Sequence, residues 1–193
     1  FDDDATRGGP LVLQDAGARL HLSLTSSYAS QTTWGIGGRV GHSELGSHDT
    51  EITAELGIRP HPRVYLRMEP TYSRGEEKRQ YVETLPNGPD ETYGSTFVFA
   101  ALRQDRLSAQ CRVDFAFSPD LSLQLYAEPY VTSASYADFG ALAKPGSNRL
   151  VRLADDVIET NDDGSTHFPG TGRTIRDSRI LSLRSNVVVR WEW

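Results

Sequence analysis

The chain has 193 residues, a formal net charge of -6 at pH 7, 37% hydrophobic residues and one cysteine. The acidic balance argues against nucleic acid as the main partner, since phosphate binding needs a dense basic face; Cys111 alone excludes an internal disulfide framework and a Cys-based zinc site. No stretch approaches the roughly 18 apolar residues of a membrane helix, yet a mean hydropathy of -0.47 leaves a β-barrel open, because half of every barrel strand is polar.

The opening "FDDDATRGGP" reads as an internal loop without the basic and apolar regions of a signal peptide. The expectation is that a leader has been removed or that the sequence starts within a longer protein. Beyond it, helical periodicity is almost absent, and alternation recurs at the spacing of an all-β protein. "ARLHLSLTSSY" (18–28) sets Leu20, Leu22 and Leu24 against Arg19, His21 and Ser23. "TWGIGGRVGH" (33–42) places Trp34, Ile36 and Val40 opposite Arg39. Its glycine cluster lacks the following helix that phosphate binding requires and reads as relief of crowding or a bend.

"TEITAELGIR" (50–59) opposes Ile52, Ala54, Leu56 and Ile58 to Glu51, Thr53, Glu55 and Arg59. After the breaker "PHP" comes "RVYLRMEPTYS" (63–73), with Val64, Leu66, Met68 and Tyr72 against Tyr65, Arg67 and Glu69. A short strand is predicted at "RQYVETL" (79–85), followed by the turn signal "PNGPDE". "TYGSTFVFAALR" (92–103) is apolar on both faces in its middle, and a tight turn is predicted at Gln104-Asp105. "RLSAQCRVDFAF" (106–117) opposes Leu107, Ala109, Cys111, Val113 and Phe115 to Ser108, Gln110, Arg112 and Asp114.

"SPD" leads into "LSLQLYAEPY" (121–130), where Leu121, Leu123, Leu125 and Ala127 alternate with Ser122, Gln124, Tyr126 and Glu128. Residues 132–178 read as one long loop rich in Gly, Ser, Pro and Asp, with a hairpin arm or helical turn at 150–159. The final strand is "ILSLRSNVVVRWEW" (180–193). The expectation is a single all-β segment over 1–193, of about nine antiparallel up-and-down strands; the odd number suggests part of a larger barrel, since single-chain bacterial barrels have even counts.

Alternation alone does not say which side is the inside. In a soluble β-sandwich the leucines face a core; in a membrane barrel they face lipid. Two features favour an outer-membrane β-barrel. Assigning loops strand by strand places "SQTT", "PHP", "PNGPDE" and "SPD" at one end, and "SELGSH", "RGEEK", "QD" and 132–178 at the other. Several segments also alternate for about 11 residues, as a tilted membrane strand requires. Tyr28, Trp34, Tyr72, Tyr130, Trp191 and Trp193 fall toward strand ends, as an aromatic girdle would. The lumen-facing candidates are then Arg67, Glu69, Arg112, Asp114, Glu128, Arg184, Arg190 and Glu192. They would form a cross-strand lattice of ion pairs, or a polar lumen that selects solutes or receives a plug.

"SPDLSLQLYAEPY", "YADF" and "LRSNVVVRWEW" together resemble the C-terminal barrel region of the bacterial family catalogued as domain of unknown function 5916. The resemblance covers roughly 63–193 and extends to "TRGGP". It implies an outer-membrane location, outer-membrane lipid as a partner, an absent upstream carbohydrate-binding module of the family 9 type, and further strands after Trp193. It supplies no mechanism.

Catalytic candidates are thin. His21, His42, His48, His61 and His167 are scattered without an HExxH, and no serine lies in GxSxG. The acidic runs 2–4 and "NDDGS" (161–165) offer oxygen ligands but lack EF-hand spacing and read as solvated loops. Cys111 falls in an apolar row, as a packing residue would. No cofactor, metal or catalytic site is expected. The leading function is passage, secretion or anchoring of an envelope component, with other envelope proteins or a plug element as partners. The alternatives are a soluble sandwich or open barrel that binds carbohydrate or lipid, and an esterase-type barrel.

Overall fold

A computed structural model describes residues 6, 9–13, 15–27, 30–153 and 157–192. The acidic run 2–4, Tyr28, Trp193 and the middle of the 150–159 segment lie outside the described residues. The strands are β1 (Gly17–Thr25), β2 (Thr32–Ser43), β3 (His48–His61), β4 (Val64–Pro86), β5 (Ser95–Ser118), β6 (Leu121–Leu142), β7 (Leu150–Arg152), β8 (Glu159–Thr160), β9 (Thr166–Phe168), β10 (Arg173–Ile175) and β11 (Ser178–Trp191). The protein is all-β and antiparallel. One sheet has the order β1-β2-β3-β4-β5-β6-β11 with β7 beside β6, and β8, β9 and β10 form a small second sheet. The main sheet is open, with β1 and β11 as its edges. Among the described residues no helix is long and apolar enough to cross a membrane.

Seven long strands therefore replace the nine read from the sequence. The predicted strands at 63–73 and 79–85 are one strand, β4, and those at 92–103 and 106–117 are one strand, β5. Gln104 and Asp105 make no turn. They pair with Gly75 and Arg74 on β4 and with Ala134 and Ser133 on β6, and the alternation passes through them in phase. The predicted loop at 132–178 also starts later, because β6 runs on to Leu142. As a result "RGEEK" and "QD" lie within strands. "PNGPDE" joins "SELGSH" and the 143–177 excursion at one end of the sheet, opposite the short links near 26–31, 62–63 and 119–120. The loop asymmetry persists, with "PNGPDE" moved to the long-loop end.

The 87–94 turn depends on close backbone approach. Asn87, Tyr93 and Gly94 adopt positive φ, and a Cβ on Gly88 would lie 2.1 Å from the Ser95 carbonyl carbon. That neighbour is backbone and cannot swing aside. Gly88→Ala should therefore cost about 1–3 kcal/mol, the usual range for overpacking, measured by denaturant unfolding.

Beyond the long-loop edge of the apolar rows, β4, β5 and β6 continue together and both their faces become dry. Phe97 and Phe99 pack with Val12 and Leu142 on one side. Val98 and Ala100 pack with Val82, Leu85, Ala141, Leu153 and Phe168 on the other. This explains the doubly apolar run seen in the sequence: each face is covered by a separate segment. The 9–13 segment is strapped down by hydrogen bonds from Gly146 N to Leu11 O, 2.7 Å, and from Leu13 N to Ser147 O, 3.4 Å. The excursion seals the opposite face through Phe168, whose ring meets Phe139 edge-on at 5.9 Å.

Where this unit begins, Glu76 receives hydrogen bonds from Lys78 and, at 3.1 Å, from Arg103. The Lys78 ammonium, then the Arg103 guanidinium, hold its carboxyl below the ordinary glutamate value of 4.5. A depressed carboxylate contributes stability that is complete above its unfolded pKa and is lost as pH falls through its folded one. Acidification below 4.5 should thus loosen β4–β5 pairing around Glu76, and Glu76→Gln should flatten that dependence. Amide exchange at 74–78 against pH measures it.

Candidate functional site

Alternation and register together sort the sheet into two faces. One row of ladder partners runs Leu22, Gly38, Ile52, Tyr72, Leu107, Val131 and Leu181 across all seven long strands. Another runs Ile58, Leu66, Val113, Leu125 and Val187. The apolar rows cover 64–72 of β4, 107–117 of β5, 121–131 of β6 and 181–191 of β11. This face is exposed: Leu22 is 67% accessible, Ile52 51%, Met68 47% and Leu183 68%. Soluble monomers rarely leave so continuous an apolar surface open.

The other face is charged, and on β2 and β3 it is the less exposed of the two. On β3, Glu51, Thr53 and Glu55 are half-buried and Gly57 is buried, whereas Ile52 and Leu56 on the reverse face are exposed. Higher accessibility on the apolar side of a strand marks that side as convex and the charged side as concave. Two clefts lie on the charged side. One, of about 470 Å³, is lined by Arg19, Arg39, Asp49, Glu51 and Arg106; the other, toward the short turns, by Thr33, Glu55, Arg59, Tyr65 and Arg67.

Opposite charges pair on this face, some within one strand and some across two. Arg67 bridges Glu55 at 3.2 Å and Glu69 at 3.0 Å, and Arg112 pairs with Asp114 at 3.0 Å. Arg67 and Arg112 are direct ladder partners, as are Glu128 and Arg184. Glu128 also accepts a hydrogen bond from the Tyr126 hydroxyl at 2.9 Å. Arg190 stands opposite Ser122. Glu192 is not brought into the lattice: it follows the last residue of β11, and its N–H donates to Asp120 O at 2.8 Å. Partly solvated pairs of this kind are worth about 0–1 kcal/mol each, so the lattice balances charge more than it stiffens the sheet.

A second half of the lattice was legible in the same alternation but was not singled out. Arg19 meets Asp49 at 3.3 Å, and Arg39 meets Asp49 at 3.4 Å and Glu51 at 3.1 Å. Arg59 lies 5.1 Å over the Tyr65 ring and Arg106 lies 5.7 Å over Tyr130. Tyr130 thus belongs to the charged face, as partner of Ser108 and Ser182, and leaves the aromatic set expected on the apolar one. Trp34, Tyr72 and Trp191 remain there, all exposed. Crowding on the charged side falls at Gly41, where a Cβ would be 2.2 Å from Asp49 Oδ1, and at Gly57, where it would be 2.5 Å from Thr33 Oγ1 and 3.2 Å from the Tyr65 hydroxyl. In "GIGG", Gly37 and Gly38 have only ordinary contacts.

The remaining candidates resolve locally. Cys111 sits in the apolar row between Met68 and Ala127. Asp163 turns back to accept hydrogen bonds from Ser165 Oγ at 2.6 Å and Ser165 N at 2.9 Å, and these hold its carboxyl below the ordinary range. His167 faces Thr174 Oγ1 at 3.0 Å. Among the described residues, no three His, Cys, Asp or Glu side chains converge as a metal-binding group. No family model, curated protein or solved structure matches the chain, and the resemblance drawn from its motifs gains no support from those comparisons.

Proposed function

We propose that the chain forms part of the wall of a bacterial outer-membrane β-barrel, with its apolar face toward lipid and its charged face toward a polar interior. The role would be passage, secretion or anchoring of an envelope component rather than catalysis. The observation that carries this reading is the inverted burial of the main sheet. Its apolar rows run continuously over seven strands and are exposed or half-buried, while the carboxylates of the opposite face, Asp49, Glu51, Glu55, Glu69, Asp114 and Glu128, are all half-buried.

Other features agree. The apolar rows cover nine residues of β4 and eleven each of β5, β6 and β11, the length of a tilted strand crossing a bilayer. Trp34 and Trp191 lie toward the short-turn border and Tyr72 lies at the opposite one, where interfacial aromatics belong. Val98 and Ala100 are in phase with Arg106 and Arg112 on β5, so the excursion that covers them folds over the charged side at the long-loop end. Arg173 from that excursion pairs with Glu83 at 3.1 Å. A long loop folded over the wet side would narrow a pore or seat a plug.

The test is labelling in lipid vesicles, with single cysteines at Leu123 and Gln124 in a Cys111→Ser background. The cysteine at 124 should react with a water-soluble maleimide, and the one at 123 only with a bilayer-soluble reagent. A chain that stays in solution without detergent and shields position 123 from both reagents would instead be the soluble sandwich.

A further inference from the structure

The free edge of β11 has the chemistry of a pairing site. Its backbone groups on one side bond to β6, and those on the other are open. Its apolar row is the most exposed of the sheet, with Leu181 82% and Trp191 69% accessible. Its opposite row carries Arg184, which faces Glu128 on β6 without a salt bridge among the described residues, and Arg190, which faces Ser122. Arg19 on the β1 edge, by contrast, is already neutralised by Asp49.

Strand direction narrows the partner. Each neighbour in the seven-strand order is antiparallel to the last, so β1 and β11 run the same way. With the apolar faces aligned, a second copy could offer β1 only in parallel, or β11 in antiparallel. The parallel pairing is slightly weaker per residue, and the antiparallel one sets the two arginine rows together.

We propose that β11 is a strand-addition edge for an extended amphipathic segment, antiparallel to it, which continues the apolar row and carries carboxylates beside Arg184 and Arg190. This rests on the barrel-wall reading, in which an open edge cannot be left unpaired in lipid. Opposite charges across a strand pair are favourable and like charges are not. The edge therefore selects its partner by charge as well as by backbone pairing.

The test adds synthetic peptides as long as β11, 14 residues, to the full chain in detergent micelles. One peptide alternates leucine with glutamate and the other leucine with lysine, and amide exchange is read at 179–191 and 17–25. The glutamate peptide should slow exchange along β11 and bind about tenfold tighter than the lysine peptide, the order expected of two charge pairs. Arg184→Glu combined with Arg190→Glu should reverse that preference. Equal protection by both peptides, or none by either, overturns the proposal. If the maleimide pattern at 123 and 124 holds while the peptides fail, only the edge assignment falls. If labelling puts Leu123 in water or in a dry core, the barrel-wall reading falls.

Discussion

Replacing Phe168 with alanine should cost about 3–5 kcal/mol, the range for emptying a fully buried aromatic site. Phe168 is wholly inaccessible and joins the excursion to β5 and β6 through Val98, Ala100 and Ala141. Its ring also meets Phe139 edge-on, a contact worth about 0.5–1.5 kcal/mol beyond its area. The loss should stay within the long-loop unit, because among the described residues none of β1–β3 belongs to this cluster or is packed against it. Protease should then cut within 143–177 at much lower concentrations, with exchange in β1–β3 unchanged. Simultaneous loss of protection in both regions would mean that they form one cooperative unit.

Leu125→Arg should destabilise the chain by about 2–4 kcal/mol in a bilayer, the cost of a cation on the lipid side of a barrel near mid-membrane. Gln124→Arg, one residue away, should be close to neutral. Leu125 lies in the apolar row between Val113 and Val187, midway along 121–131. Gln124 stands opposite Asp114 on the charged face, so a guanidinium there gains a carboxylate neighbour. In water the expectation differs, since a surface substitution at a residue 37% exposed should usually shift stability by only about 0.5 kcal/mol. Urea unfolding of both variants in vesicles gives the comparison. A Leu125→Arg cost no larger than that of Gln124→Arg in lipid would sink the assignment of faces.

Strands fused where the sequence suggested breaks because two local signals were read without their partners. Gln104-Asp105 looks like a turn in isolation. In the sheet, Asp105 accepts the Tyr72 hydroxyl at 2.9 Å and faces Arg74 at 3.7 Å, while its carbonyl takes the Thr132 hydroxyl at 3.1 Å. Likewise "RGEEK" is polar enough for a loop, yet Glu76 is held by cations from its own strand and from β5. Each polar residue acquired a cross-strand partner that no local window contains.

What the sequence determined by itself was the class and the sorting of faces. Period-two alternation commits Leu123 and Gln124 to opposite sides of any strand that contains them, and the same rule put Arg67, Arg112 and Arg184 on one face before any pairing was known. Tertiary structure decided how many strands those patterns make, that the rows align across the whole sheet, and that the charged side is the concave one. It also decided that the dry core sits beyond the apolar rows, under Phe168 and Val12. Register, curvature and coverage depend on residues far apart in the chain, and alternation records only the side to which each residue points.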